Sequence, residues 1–278
     1  MIVVLSDLHL GLRGAPEPAA LAPLFDGAQE LILNGDASES GTAALRAPSL
    51  EALARLEEVA RAQGARVTHL AGNHDPLAGE LLAHRCEGAV VLTHGHAFHP
   101  MIAPWSPHAD EVGAVFRRAH EAASALAEPQ RTLAAAQAAA LHERERDAAK
   151  HPFEELLWTG SRPWKMLEVI GYWRIYPELG ARFLERCAAG APGPARRILV
   201  CGHSHRAGAW ALRGGLMLNT GSFTFPGTPH AVLLEGDEAV LVPLQRRRGE
   251  WRYLAQARRS WSIGALARAT APASTPVS

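Results

Sequence analysis

Five short clusters of carboxylate, amide and imidazole residues stand out: Asp7-Leu-His9, Gly35-Asp36, Gly72-Asn73-His74-Asp75, His94-Gly-His96 and Gly202-His203-Ser-His205. Each follows directly on a hydrophobic run. One Asp-x-His says little by itself, but five such clusters at the ends of apolar segments are hard to explain as packing. A side chain just past a strand faces the crevice above the sheet, so residues as distant as Asp7 and His205 can converge. The donors are oxygen and imidazole nitrogen. Cys201 lies inside an apolar run and reads as core. A carboxylate has two oxygens and can bridge two cations, and Asp36 is the central carboxylate. One cation would take Asp7, His9, Asp36 and His205. The other would take Asp36, Asn73, His94 and His203. Mixed nitrogen and oxygen ligands suit manganese, iron or zinc better than calcium or magnesium. Two divalent ions are therefore expected, manganese first.

Strands must position these clusters. Ile2–Leu5, Glu30–Asn34, Arg66–Leu70, Ala89–Thr93 and Arg197–Cys201 are apolar runs that end at them. Ala47–Gln63 reads as a helix with Leu50, Leu53 and Leu56 on one side, closed by Gly64. Gly215–Asn219, His230–Glu235 and Ala239–Pro243 read as later strands, the last two joined by a turn at Gly236-Asp237. The fold class is α/β, with a mixed sheet or two packed sheets and helices outside. Residues 101–190 break this pattern. Asp110–Leu126, Gln130–Lys150, Pro163–Tyr176 and Glu178–Cys187 read as helices, with Pro163 and Pro177 in first turns. This insert holds four of the seven tryptophans, Trp105, Trp158, Trp164 and Trp173. Its aromatic face either packs the insert onto the body or lines the mouth of the site. The division is a body over 1–260, interrupted by the 101–190 insert, and a mostly flexible tail over 261–278. His69, on a strand, and His84, in a helical stretch, read as structural.

The chain has 278 residues, 47% hydrophobic and 20% charged, which suits a folded core and not a disordered chain. Lys plus Arg and Asp plus Glu are both 28, which argues against general nucleic-acid binding and leaves room for a local basic patch. The charge is uneven, with balances of −6 over 1–100, −1 over 101–190 and +7 over 191–278. The basic last third could help hold an anionic substrate, and it leaves nucleic acid open as a partner. Three cysteines are too few for a disulfide scaffold or thiolate cage. No transmembrane segment or signal core is legible, since the run Met1–Leu5 is short and stops at Asp7. A cytoplasmic protein is expected, peripheral membrane contact stays open, and the oligomeric state is not legible.

In this order the five clusters resemble the calcineurin-like metallophosphoesterase family, whose pattern runs Asp-x-His, Gly-Asp, Gly-Asn-His-Asp or Glu, a lone His, then Gly-His-x-His. The resemblance covers residues 1–100 and 191–245 and leaves out the insert. It implies a metallophosphoesterase-type two-sheet β-sandwich flanked by helices, with a dinuclear centre and, here, an all-helical insertion. The family often has a second acid or Asn about three residues past Gly-Asp. Glu39 stands at that distance and is a candidate substrate contact. The opening Ser6-Asp-Leu-His-Leu-Gly11 and the insert are modestly similar to the UDP-2,3-diacylglucosamine pyrophosphatase branch, which acts on a lipid-linked nucleotide at a membrane surface. That branch typically has Arg where this chain has His74.

The expected activity is hydrolysis of a phosphodiester, pyrophosphate or phosphomonoester by in-line attack of a metal-bridging hydroxide. His74 can protonate or hydrogen-bond the leaving oxygen. Asp75 either orients His74 or caps the segment before Pro76. His96 is either a substrate contact or a satisfied local histidine. A small-molecule or lipid-linked phosphoester is the favoured substrate. A nuclease, a protein phosphatase and a non-catalytic binding scaffold on the same fold are the rival readings.

Overall fold

The computed structural model describes residues 1–147, 164–190 and 193–269. Its frame is two sheets packed face to face. The first has seven strands in the order β11-β10-β9-β1-β2-β3, with β12 also on β10. β1 (Ile2–Leu5) pairs in parallel with β2 (Glu30–Asn34), and β2 with β3 (Arg66–Leu70). β9 (His230–Glu235) runs antiparallel to β1 and turns into β10 (Glu238–Arg247) across Gly236-Asp237, as expected. β11 is Glu250–Tyr253 and β12 is Arg259–Ser262. The second sheet has the order β4-β5-β6-β8-β7. Here β4 is Ala83–Arg85, β5 Val90–Leu92, β6 Arg197–Cys201, β7 Gly208–Leu212 and β8 Gly215–Asn219.

Parallel register explains why the polar clusters meet. Leu5 lies opposite Leu33 and Asn34 opposite Leu70, so β1, β2 and β3 release their chains at one edge. In the second sheet Leu92 lies opposite Val200, so His94 and Gly202–His205 leave together. Between the sheets Val4, Ile32 and Leu70 meet Val90, Leu92, Ile198, Val200 and Leu218. Strands buried on both faces read as continuous apolar runs, which is why these five were visible in the sequence. Burying each such side chain stabilises by about 1.5–3 kcal/mol. The outer face of the first sheet is covered by α1 (Arg46–Ala62) and a 3-10 turn over Pro18–Leu24.

The insert covers the outer face of the second sheet. Val91, Leu199, Cys201 and Met217 pack with Val112 and Phe116 of α2 (Ala109–Ala122), Leu133 of α3 (Gln130–Asp147) and Phe183 of α4 (Trp164–Gly190). Cys201 is core, as read from sequence. Lys150, Trp158 and Pro163 lie outside the described residues, and so does the side chain of Trp164.

Three expectations need correction. The last two insert helices are one, because α4 runs through Pro177. Proline removes the N–H that would serve the carbonyl four residues back, that of Trp173. Arg206 Nη1 donates to that carbonyl at 3.1 Å instead. His84 is on β4 and not in a helix, paired with Val91 of β5. The chain after 260 is also built, up to Ala269. β12 leads into α5 (Ile263–Arg268), where Ser262 Oγ accepts from Ala265 N and Ile263 enters the inter-sheet core. Asp237, in the β9–β10 turn, accepts from Gly264 N at 2.7 Å and Ser262 Oγ at 2.6 Å. Among the described residues no helix is long and apolar enough to cross a membrane.

Candidate metal centre

The crevice between the two sheet edges is made from strained backbone. Asp7, His9, Asp36, His203 and His205 all have φ between 50° and 63°. Non-glycine residues seldom adopt this region, at about 1–3 kcal/mol each. They are five of the seven side chains expected to bind metal. Glycine lets neighbouring backbone approach them. A Cβ on Gly72 would collide with Asp36, and one on Gly202 with Asp7.

The side chains form two groups. Asp7, His9 and His205 bring one ligand atom each within 4.8 Å of one another, and so do Asp36, His94 and His203. In the first group His205 Nε2 is 3.3 Å from Asp7 Oδ1 and 3.2 Å from His9 Nε2. In the second, His94 Nε2 is 3.0 Å from Asp36 Oδ2, and His203 Nδ1 is 3.0 Å from Asn73 Oδ1. The outward ring nitrogens are held by fixed acceptors. His94 Nδ1 donates to Asn34 O at 3.0 Å, His203 Nε2 to Ile102 O at 3.0 Å and His9 Nδ1 to Glu39 Oε1 at 2.6 Å. These bonds leave lone pairs pointing inward, as on histidines that ligate metal. Lone pair then faces oxygen or nitrogen at about 3 Å, which repels unless a positive charge sits between.

The charges say the same. Burial raises the carboxyl of Asp36, but His94 and His74 beside it hold it well below the usual range. Burial likewise raises Asp7, and His94 and His205 outweigh it. The same carboxylates lift the imidazole of His94 to about 9 against burial. Burial and the neighbouring His94 push His203 down to about 3, so it is a neutral imidazole. The donor groups fit metal ligation.

Three expected roles come out differently. Asp75 does not address His74. Its Oδ1 accepts from Gly72 N and Asp36 N at 2.9 Å, and its Oδ2 from Ala37 N at 2.9 Å and Ser38 N at 3.2 Å. It fixes the Asp36 loop. Glu39 reaches His74 instead, with Oε2 2.9 Å from Nδ1. Both Glu39 oxygens are engaged by histidines and its side chain is buried. Burial lowers His74, and Glu39 and Asp36 overcome this and raise it to about 9. His96 is fully buried beside His94, and neither ring nitrogen has a hydrogen-bond partner. It is therefore not a satisfied local histidine.

Other supporting residues went unread in the sequence. Asn219, at the end of β8, donates to Gly202 O at 2.7 Å, and Ser222 Oγ donates to Asp7 O at 3.2 Å. Ser6 Oγ donates to the Asp7 carboxylate. The run Asn219-Thr-Gly-Ser222 follows a strand as the other clusters do, and this was the signal available. The insert aromatics do more than pack. Trp105, Tyr172 and Tyr176 surround the ring of His203, and Tyr176 Oη donates to Gly202 O at 2.9 Å.

The profile of the calcineurin-like phosphoesterase superfamily domain matches residues 1–239. No curated protein matches the chain. Solved structures of similar fold include YfcE, a phosphoesterase from E. coli, at 17% identity and a TM-score of 0.43, covering 94% of this chain and 98% of that one. A single mutant of Vps29 from Entamoeba histolytica aligns at 14% identity and a TM-score of 0.42, covering 94% and 99%. Wild-type Vps29 from the same organism, complexed with zinc, aligns at 13% identity and a TM-score of 0.38, covering 94% and 98%.

Proposed function

We propose that this chain, which belongs to the calcineurin-like phosphoesterase superfamily, is a metal-dependent phosphoester hydrolase. The observation that carries the reading is the convergence of seven nitrogen and oxygen donors from five strand ends, arranged as acceptor facing acceptor. Asp7, His9, Asp36 and His205 would hold one cation. Asp36, Asn73, His94 and His203 would hold the second. Manganese suits this donor set best, with iron or zinc next. When bound, such a pair acidifies a water and neutralises charge on phosphoryl oxygens.

The chain's own residues do the rest. Glu39 accepts a hydrogen bond from the Nδ1–H of His74 and leaves Nε2 as the nitrogen for substrate. The charged imidazole then gives its Nε2 proton to the departing oxygen. Asp75 holds Asp36 in its strained turn. His96 offers a polar ring at the back of the second cation site.

The favoured substrate is a small-molecule or lipid-linked diester or pyrophosphate. A cavity of about 720 Å³ between α1 and α3 supports a partly apolar leaving group, with Leu50, Leu53, Leu77 and Leu141 in its wall and Arg46 and Arg144 beside them. The test is turnover of bis-p-nitrophenyl phosphate and p-nitrophenyl phosphate by the full chain with added manganese, with metal content measured alongside. Hydrolysis of either is expected. Metal-loaded protein that is inert across a broad phosphoester panel overturns the reading.

A further inference from the structure

The helical insert reaches the crevice from two sides. Arg144 of α3 is buried and places Nη1 3.3 Å from His74 Nδ1. Gln137, two turns earlier on the same helix, donates Nε2 to Pro76 O at 3.0 Å. α3 is thus docked on the His74 loop at two points. Gly41 fits between them, because a Cβ there would meet both the Arg144 stem and His74 O. On the opposite side Trp173 of α4 donates Nε1 to Ser204 O at 2.6 Å, between His203 and His205.

The Nδ1–H of His74 donates to Glu39, which is the charged acceptor and the shorter contact at 2.9 Å. The guanidinium therefore does not donate to that nitrogen. It stands against the edge of the ring. Rotating the imidazole away from Glu39 would break a charge-assisted hydrogen bond or press the ring onto a buried cation. Two neighbours thus fix the ring plane, and one of them comes from the insert.

We infer that Arg144 is a positioning residue for His74, so that the insert is a built-in part of the catalytic apparatus and not a detachable cover. This rests on the hydrolase reading above. Arg144 also borders the cavity between α1 and α3, and a role exercised through His74 has a signature that a substrate contact lacks. A poor leaving group needs the proton from His74 more than a good one does. Loss of Arg144 should therefore slow phenyl esters more than p-nitrophenyl esters.

The experiment compares Arg144→Gln and Arg144→Lys with wild type as the full chain loaded with manganese. Arg144→Gln should lower kcat on a phenyl phosphoester by about 100-fold and on its p-nitrophenyl counterpart by under about 10-fold, in the range of a misaligned acid. KM and bound manganese should not change, and Arg144→Lys should recover part of the loss. Long-range proton–nitrogen NMR of the His74 ring, recorded on protein loaded with diamagnetic zinc, should show its Nδ1 proton exchanging at least about 10-fold faster in Arg144→Gln. Equal losses on both esters with a lowered Tm would mean a merely structural arginine and overturn the inference. A rise in KM alone would make Arg144 a substrate contact and overturn it too. If wild type turns over neither ester, the hydrolase reading fails by itself, and unchanged His74 exchange would then overturn the positioning role as well.

Discussion

Replacing Asp75 by alanine removes a single carboxylate that accepts four backbone N–H groups, those of Asp36, Ala37, Ser38 and Gly72. Asp75 is 1% exposed, so water cannot readily replace it. Each orphaned buried donor costs about 1–3 kcal/mol, which puts the loss at no less than about 4 kcal/mol. A domain of this size has only about 5–15 kcal/mol in total. At roughly 2–4 °C per kcal/mol, Tm should fall by about 8–16 °C. Asp75→Asn keeps one oxygen for two of the donors and turns an amide N–H toward the others, so it should lose about half as much. Because Asp75 holds the turn of Asp36, manganese affinity should fall as well, by about 10–100-fold. The assay is thermal unfolding followed by circular dichroism, with a manganese titration on the folded variant. Wild-type Tm and metal affinity together with a large loss of kcat would refute this reasoning and return Asp75 to the role of orienting His74.

Asp36→Asn should abolish most metal binding and reduce turnover by at least about 100-fold, because the shared ligand loses its charge and one of its two oxygens; retained metal with near-normal rate would refute the shared ligand. Glu39→Gln should lower kcat by about 10²–10⁴, since the His74 ring loses its charged acceptor, and should also weaken metal binding through His9. Activity and metal titrations on that variant decide it, and a rise in KM alone would restore Glu39 as a substrate contact. Glu30 tests the frame away from the site. Burial raises its carboxyl, and hydrogen bonds from Arg85, Thr68 and Arg66 overcome this and bring it to about 2. A folded value below the unfolded one means its stabilisation is full above the unfolded range near 4.5 and is lost as pH falls toward 2. Glu30→Gln should therefore flatten the acid limb of the stability–pH curve and destabilise the protein at neutral pH; an unchanged acid limb would refute it.

What was legible in the sequence had a local signature. Val3-Val4-Leu5, Leu31-Ile32-Leu33 and Ile198-Leu199-Val200 are buried on both faces and so are apolar throughout. The candidate ligands lie just past such strand ends, so residue type and strand end together singled out Asp7, Asp36, His94 and His205. Glu39 and Asp75 were visible as acids, but their partners were not. Asp75 adjoins His74 in sequence yet folds back under Asp36, while Glu39, 35 residues away, is the acid that reaches His74. Arg144 was not legible at all. Its meeting with His74, 70 residues away, depends on how α3 lies on the body. β4 and β7 were missed because they are short edge strands of mixed burial.

The strained ligand residues also explain why removing a ligand and removing Asp75 should have different outcomes. The five loops hold one another through backbone groups. Asp7 N donates to Gly35 O at 3.1 Å and His9 N to Asp36 O at 3.0 Å. His74 N donates to Asp36 Oδ1 at 2.8 Å, His203 N to the Asp7 carboxylate at 3.1 Å, and Gly202 N to His94 O at 2.9 Å. Strained turns persist where their surroundings over-determine them, and this ring of bonds does so through protein atoms alone. A cation entering the crevice then orders little backbone, and its binding reads out the charge and aim of the donors. Asp36→Asn keeps an oxygen for His74 N and the whole backbone ring, so it should lose metal while amide exchange at residues 7, 9, 36 and 203 stays slow. Asp75→Ala breaks the ring at Asp36 N and should speed exchange at Asp36 and Ala37 before any metal is added. Fast exchange throughout the crevice in metal-free wild type would show that cations, and not the loops, assemble the site.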